Sequence, residues 1–156
     1  MKRKILGVLL AVTLNFVLVQ SAAAQDEADV RAAMEASLEA WRTGDFATLG
    51  NYYSAQTRGF MLDGGFLITG FSVEALEAAA SMGVAFDVRP TEIDILVVSE
   101  GVAVTVAIVE GSVTMPGGDV QEGPWRYSET RIKEGGVWKV VQYHFSPMTL
   151  APLGGI

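Results

Sequence analysis

Trp125-Arg126-Tyr127-Ser128-Glu129-Thr130-Arg131-Ile132-Lys133-Glu134-Gly135-Gly136-Val137-Trp138-Lys139-Val140-Val141-Gln142-Tyr143-His144-Phe145-Ser146 reads as two β-strands joined at Gly135-Gly136. Aromatic and β-branched residues flanking a glycine pair are the pattern of a tight hairpin. The stretch holds the chain's single histidine and two of its three tryptophans. A two-residue loop sets Lys133 opposite Trp138, Arg131 opposite Val140 and Tyr127 opposite His144. Strict alternation then predicts that Tyr127, Glu129, Arg131, Trp138, Gln142 and His144 share one sheet face. A phenol, a carboxylate, a guanidinium, an amide and an imidazole on a helix-covered face would line a polar cavity, because a plain core is apolar. Plainer uses exist for each. Glu129 and Arg131 could form a surface ion pair, His144 could bond a neighbouring carbonyl, and Trp41 and Trp138 could be core.

Working back from the hairpin, Val84 to Val98, Val102 to Thr114 and Val120 to Lys133 are rich in β-branched residues. Ser99-Glu100-Gly101 and Pro116-Gly117-Gly118-Asp119 are turn signals between them. With Val137 to Phe145 they form a four-strand antiparallel meander. Pro90 marks a strand start or a bulge. Helices precede the strands. Val30, Met34, Leu38 and Trp41 recur at one face of a helix from Asp26 to Thr43. Asp45 caps a short second helix that buries Phe46 and Leu49, and Ser72 caps a third through Met82. Thr57 to Leu62 and Phe66 to Thr69 read as a hairpin around Asp63-Gly64-Gly65. The order predicts an α+β fold: three helices from the N-terminal half packed on the concave face of a curved antiparallel sheet, shaped as a cone.

The first residues read as a signal peptide, residues 1–24. Lys2, Arg3 and Lys4 precede an apolar run from Ile5 to Val19, and Ser21-Ala22-Ala23-Ala24 offers small residues for cleavage. The run is too short for a convincing membrane span. Cleavage leaves 132 residues with 8 basic and 18 acidic side chains, a net charge of −10. One domain over 25–147 suits that length, with an apolar tail over 148–156. The expected location is a periplasm or the medium, with no membrane partner once the signal is removed. The acidic balance argues against nucleic acid and anionic membranes as partners. There is no cysteine, so packing carries the stability even where disulfides could form. A single histidine and no cysteine make zinc improbable, and no metal site or cofactor is expected. Glycine-rich phosphate loops are missing as well.

Ser128-Glu129-Thr130-Arg131, Gly136-x-Trp138 and Tyr143-His144-Phe145-Ser146 resemble the closing hairpin of the nuclear transport factor 2-like superfamily. Trp41-x-x-Gly44-Asp45-Phe46-x-x-Leu49 resembles its first helix pair. The likeness is to the SnoaL-like branch and to the association domain of calcium/calmodulin-dependent protein kinase II. It implies the cone fold over nearly the whole mature chain. In kinase association domains the arginine of the Glu-Thr-Arg run lines a pocket that accepts small carboxylates, and it corresponds to Arg131. His144 corresponds to the histidine just before the final serine. Gln142 stands where another histidine is usual, and Arg58 and Arg89 are the candidates for further pocket arginines. The resemblance also implies a homodimer through the outer sheet face, on which alternation puts Ser128, Thr130, Lys139, Val141, Tyr143 and Phe145.

Two functions follow. The first is a binding domain for a small organic acid, with Arg131 pairing the anion and His144, Tyr127, Glu129, Tyr53 and Arg58 around it. The second is an isomerase, cyclase or dehydratase, in which a buried carboxylate or His144 takes a proton and a tyrosine stabilises the enolate. Asp63, Asp87, Asp94, Tyr52 and Tyr53 are its candidate groups, with Asp63 read foremost as a turn residue. A purely structural oligomerisation domain is a third possibility.

Overall fold

The computed structural model describes residues 2–61 and 67–148, with side chains described from Ala23 onward. The turn at Asp63 and the tail beyond Met148 lie outside the described residues.

Helix α1 (Lys2–Thr43) runs without a break past Ala24. Among described side chains its first buried residue is Val30, and Ala33, Met34, Ser37, Leu38 and Ala40 follow on the same stripe. The domain's first buried side chain therefore comes roughly one and a half to two helical turns after the expected cleavage point. Helix α2 (Phe46–Gly50) is capped by Asp45, whose carboxylate accepts from the Thr48 N–H at 3.0 Å. Leu49 anchors it in the core. Helix α3 (Val73–Ser81) is capped by Ser72, which accepts from the Ala75 N–H. None of its residues is buried. It stands at the mouth of the cone, where only its Ala75–Ala80 side touches the interior.

The strands are β1 (Tyr53–Phe60), β2 (Ile68–Thr69), β3 (Ala85–Ser99), β4 (Val102–Thr114), β5 (Val120–Glu122), β6 (Trp125–Glu134) and β7 (Val137–Pro147). They form one sheet in the order β2-β1-β7-β6-β4-β3, with β5 paired to β4. The meander β3-β4-β6-β7 is antiparallel as expected, and β1 closes onto β7 in parallel. The segment from Val120 to Lys133, read as one strand, is two. A cis Gly123-Pro124 peptide separates β5 from β6, and Trp125 packs over Gly123. Pro90 does sit at a bulge, between Pro90 and Glu92.

The hairpin corrects the expected facing. Lys133 is opposite Trp138 and Arg131 opposite Val140, but Thr130 pairs with Gln142 and Tyr127 with Phe145. Val141 is an extra residue in β7, a β-bulge that shifts the alternation by one. Gln142 and His144 therefore point outward, while Tyr143 and Phe145 are buried on the concave side. The apolar phase itself explains this. Trp138 and Val140 are followed by Tyr143 and Phe145, so keeping all four inside requires one residue to be absorbed between them. Tyr143 comes so close to β1 that a Cβ on Gly59 would lie 2.5 Å from its ring. Only glycine fits there.

Candidate functional site: an apolar cone over a sealed ion pair

The concave face has two zones. At the narrow zone Arg131 and Glu129 are 0 % and 1 % exposed. The Arg131 guanidinium donates from Nε and Nη2 to the two Glu129 carboxylate oxygens, a fork-on-fork pair. Nη2 also donates to Ser37 Oγ at 2.8 Å, and Nη1 to the Trp138 carbonyl at 3.2 Å. Four of its five N–H groups are thereby engaged. Tyr127 Oη donates to Glu129 Oε2 at 2.7 Å. Burial is the largest single influence and pulls the Arg131 pKa down, but the Glu129 charge, its hydrogen bond and the neighbouring Tyr127 and Tyr53 together outweigh it and the net shift is upward. This cluster ties helix α1 to strands β6 and β7.

At the wide zone a cavity of about 360 Å³ opens between α3, the β1–β2 hairpin and the start of β3. Trp41, Phe46, Phe71, Leu76, Phe86 and Met115 are among its walls. A deeper space of about 40 Å³ shares Trp41, Tyr53, Met61, Phe86 and Tyr143 with it and reaches Tyr127. The lining is almost wholly apolar, with tyrosines at the floor. Tyr53 stacks on Phe71 at 4.3 Å and accepts a hydrogen bond from Trp41 Nε1 at 3.1 Å. Burial raises the Tyr53 pKa, and burial followed by the Glu129 charge raises that of Tyr127 well above the ordinary phenol value. Both phenols hold their protons at ordinary pH, which makes them hydrogen-bond donors and not bases. Since Tyr127 spends its proton on Glu129, it offers only lone pairs toward the cavity. Tyr53 is also protonated, and a hydrogen bond between the two phenols links it to Tyr127.

Of the residues expected at the site, the structure brings Tyr53, Tyr127, Glu129 and Arg131 together on the concave face. Two are elsewhere. His144 is exposed on the outer face, with its ring 6.0 Å from Phe60. Arg58 is exposed as well, and its Nη1 donates to the Gln56 and Thr57 carbonyls. Arg131 and Glu129 line neither cavity. Among the described residues, no carboxylate, histidine, lysine or arginine lines either one. Asp87 and Asp94 are exposed on β3, and Asp87 lies 3.5 Å from Arg89. Among the described residues no group of three metal-ligating side chains gathers.

Sequence reasoning missed Ser37, Phe71, Phe86 and Tyr143. Ser37 was legible as the one polar residue on the helix stripe running from Ala33 to Ala40. The others depend on the bulge and on how α3 sits, which no short-range pattern fixes.

A curved sheet wrapped on helices, with its cavity at the wide end, defines a nuclear transport factor 2-like protein. The SnoaL-like domain family matches residues 30–150, and the chain belongs to that family. Solved structures agree on the fold. A ketosteroid isomerase-like protein from Erwinia carotovora atroseptica has a TM-score of 0.67 at 22% identity, covering 80% of this chain and 97% of its own. An NTF2-like protein from Cytophaga hutchinsonii scores 0.65 at 19% identity, covering 76% and 95%. The association domain of the C. elegans kinase CaMKII scores 0.62 at 17% identity, covering 80% and 98%. No relative among curated proteins matches the chain.

Proposed function

We propose that this protein binds a small, largely apolar molecule carrying a neutral hydrogen-bond acceptor, such as a ketone, in the wide end of the cone. The observation that supports this most is the cavity's make-up: aromatic and aliphatic walls over a floor of protonated phenols. Apolar surface supplies the affinity of such a ligand, and a few fixed polar groups orient it. Tyr53 is the donor to the ligand's oxygen. An organic acid anchored on Arg131 is the weaker reading, because an anion would have to displace Glu129 from a buried fork. Turnover of the isomerase type needs a base at the cavity. None of the described lining residues supplies one, so binding without proton abstraction is favoured.

The test is a thermal-shift and calorimetric screen of flat apolar ketones beside their carboxylate counterparts, with turnover followed in parallel. A ligand at a hundred times its Kd should add about 2.7 kcal/mol of stability. Preference for ketones, weakened in Tyr53→Phe, supports the reading. Preference for carboxylates would return the role to Arg131, and conversion of a ketone to product would make the protein an enzyme.

Two further parts of the reading are self-association through the outer sheet face and export. The outer face carries exposed Leu96, Val98 and Val106, the apolar surface that a second copy would cover. The basic, then apolar, then small-residue N-terminus supports export, and mass spectrometry of the exported fraction beginning at Gln25 would bear on it.

A further inference from the structure

Cleavage after Ala24 creates a new first residue, Gln25, and its surroundings bear on what it becomes. Gln25 is exposed on the first turn of α1 that the exported chain keeps. Its side-chain nitrogen Nε2 donates to Asp29 Oδ1 at 2.8 Å, one helical turn on. This turn is held from the sheet. Lys133 Nζ lies 3.0 Å from Asp26, 4.0 Å from Asp29 and 5.4 Å from the centre of the Trp138 ring. Val30, next along the helix, is fully buried. Asp29 is thus anchored within reach of the new chain end. An N-terminal glutamine carries an electrophile and a nucleophile in one residue: the side-chain carboxamide carbon and the terminal amine. Their reaction closes a five-membered ring, and such proximity favours it. A terminal amine has a pKa of about 8, so a neutral, nucleophilic fraction is present at ordinary pH.

We propose that Gln25 of the exported chain cyclises to pyroglutamate, with Asp29 passing the proton. The proposal rests on the export reading above and goes beyond it. The terminal nitrogen attacks Cδ of Gln25 and forms the N–C bond of the ring. In the tetrahedral adduct the attacking nitrogen and Nε2 are on the same carbon, so a carboxylate in contact with one lies beside the other. The Asp29 carboxylate takes a proton from the attacking nitrogen and delivers it to Nε2. The Cδ–Nε2 bond then breaks and ammonia leaves. Nothing is oxidised or reduced, and Asp29 ends as it began. The product has a lactam where the amine was. That removes a cation from the positive end of α1 and leaves Asp26, Glu27 and Asp29 there, the sign that the helix dipole favours. It also removes the free amine by which aminopeptidases hold a chain end.

Intact-mass and peptide mass spectrometry of the exported protein read the modification. The expected result is a chain that starts at Gln25 and is lighter by one ammonia. A chain that starts at Gln25 and keeps its ammonia would overturn the proposal. A chain that starts elsewhere, or keeps residues 1–24, would overturn the cleavage reading beneath it. Signal peptidase digestion of the purified precursor then starts a clock for the rate. Asp29→Asn should slow ring closure about tenfold, less than a buried acid–base group is worth, because this carboxylate is half-exposed. Asp26 pairs with Lys133, and Asp26→Asn should leave the rate unchanged. Urea breaks the contact between residues 25 and 29, so there the wild type and Asp29→Asn should cyclise alike. Equal rates for the two in the folded protein, or equal slowing by Asp26→Asn and Asp29→Asn, would overturn the role given to Asp29. Circular dichroism establishes that each variant is folded before its rate is read.

Discussion

The narrow and wide zones lie on one concave face and obey the same alternation, yet they have opposite characters. At the narrow end, four polar side chains from α1 and β6 spend most of their hydrogen bonds on one another, and Glu129 already meets the Arg131 charge. At the wide end, aromatic rings leave a space they do not fill, and the polar groups there are phenols whose burial keeps them neutral. A charged pair on an interior face is therefore not by itself a binding site. A buried ion with all its partners in the protein is a structural joint. The place for a ligand begins where the protein stops satisfying its own surface. Tyr127 marks the boundary, since its proton belongs to the joint and its ring to the cavity.

Breaking the joint should have the largest effect. Glu129→Ala leaves the Arg131 charge buried without its anion, and loss of one partner of such a pair costs about 3–5 kcal/mol. Urea unfolding should show it as a large fall in midpoint, whereas a variant of unchanged stability with lost ligand affinity would place Arg131 in the site after all. Tyr127→Phe comes next, at about 1–3 kcal/mol, because it takes a buried partner from Glu129. Tyr53→Phe tests the other zone: ligand affinity should fall about tenfold, the worth of one hydrogen bond, when measured by calorimetry.

The phenols sharpen the comparison through pH. Below about pH 10 both the folded and unfolded chains keep these protons, so they give stability no slope with pH. Above it the unfolded chain releases them while the folded chain, with both pKa values raised, does not. Stability should then fall with rising pH, by up to about 1.4 kcal/mol per pH unit per tyrosine. Urea titrations from pH 9 to 11 should show a shallower slope for Tyr127→Phe. The smallest effect belongs to the outer face. Arg58→Ala should change stability by less than about 0.5 kcal/mol and leave ligand affinity alone. A marked loss of affinity would mean that Arg58 turns inward when ligand binds.

Much of this was readable in the chain. The helix stripe through Val30, Met34 and Leu38, the Asp45 and Ser72 caps and the Gly135-Gly136 turn all encode short-range geometry, and all are present in the fold. The grouping of Tyr127, Glu129 and Arg131 followed from alternation in β6, which is regular. His144 was misplaced because the same rule was run through β7, where Val140-Val141 breaks the phase. The signal was there in the two adjacent valines followed by Tyr143 and Phe145, an apolar pattern that cannot stay inside without a slip. That Arg131 would be sealed was not readable. It depends on Ser37, 94 residues away, and on how closely α1 lies on the sheet.

The bulge at Val141 also bears on how relatives of this chain are compared. Strand β7 carries one residue more than its partner needs, so deleting Val141 straightens the ladder and leaves every later side chain facing as before. A deletion between Tyr127 and Glu129 has no such slack and would turn one of them inside out. The two strands of one hairpin thus differ in their tolerance of length change. An alignment that sets residues column against column through β7 will match an outward histidine here to an inward one in a relative without the extra residue. It would then carry a chemical role across a gap it has failed to open.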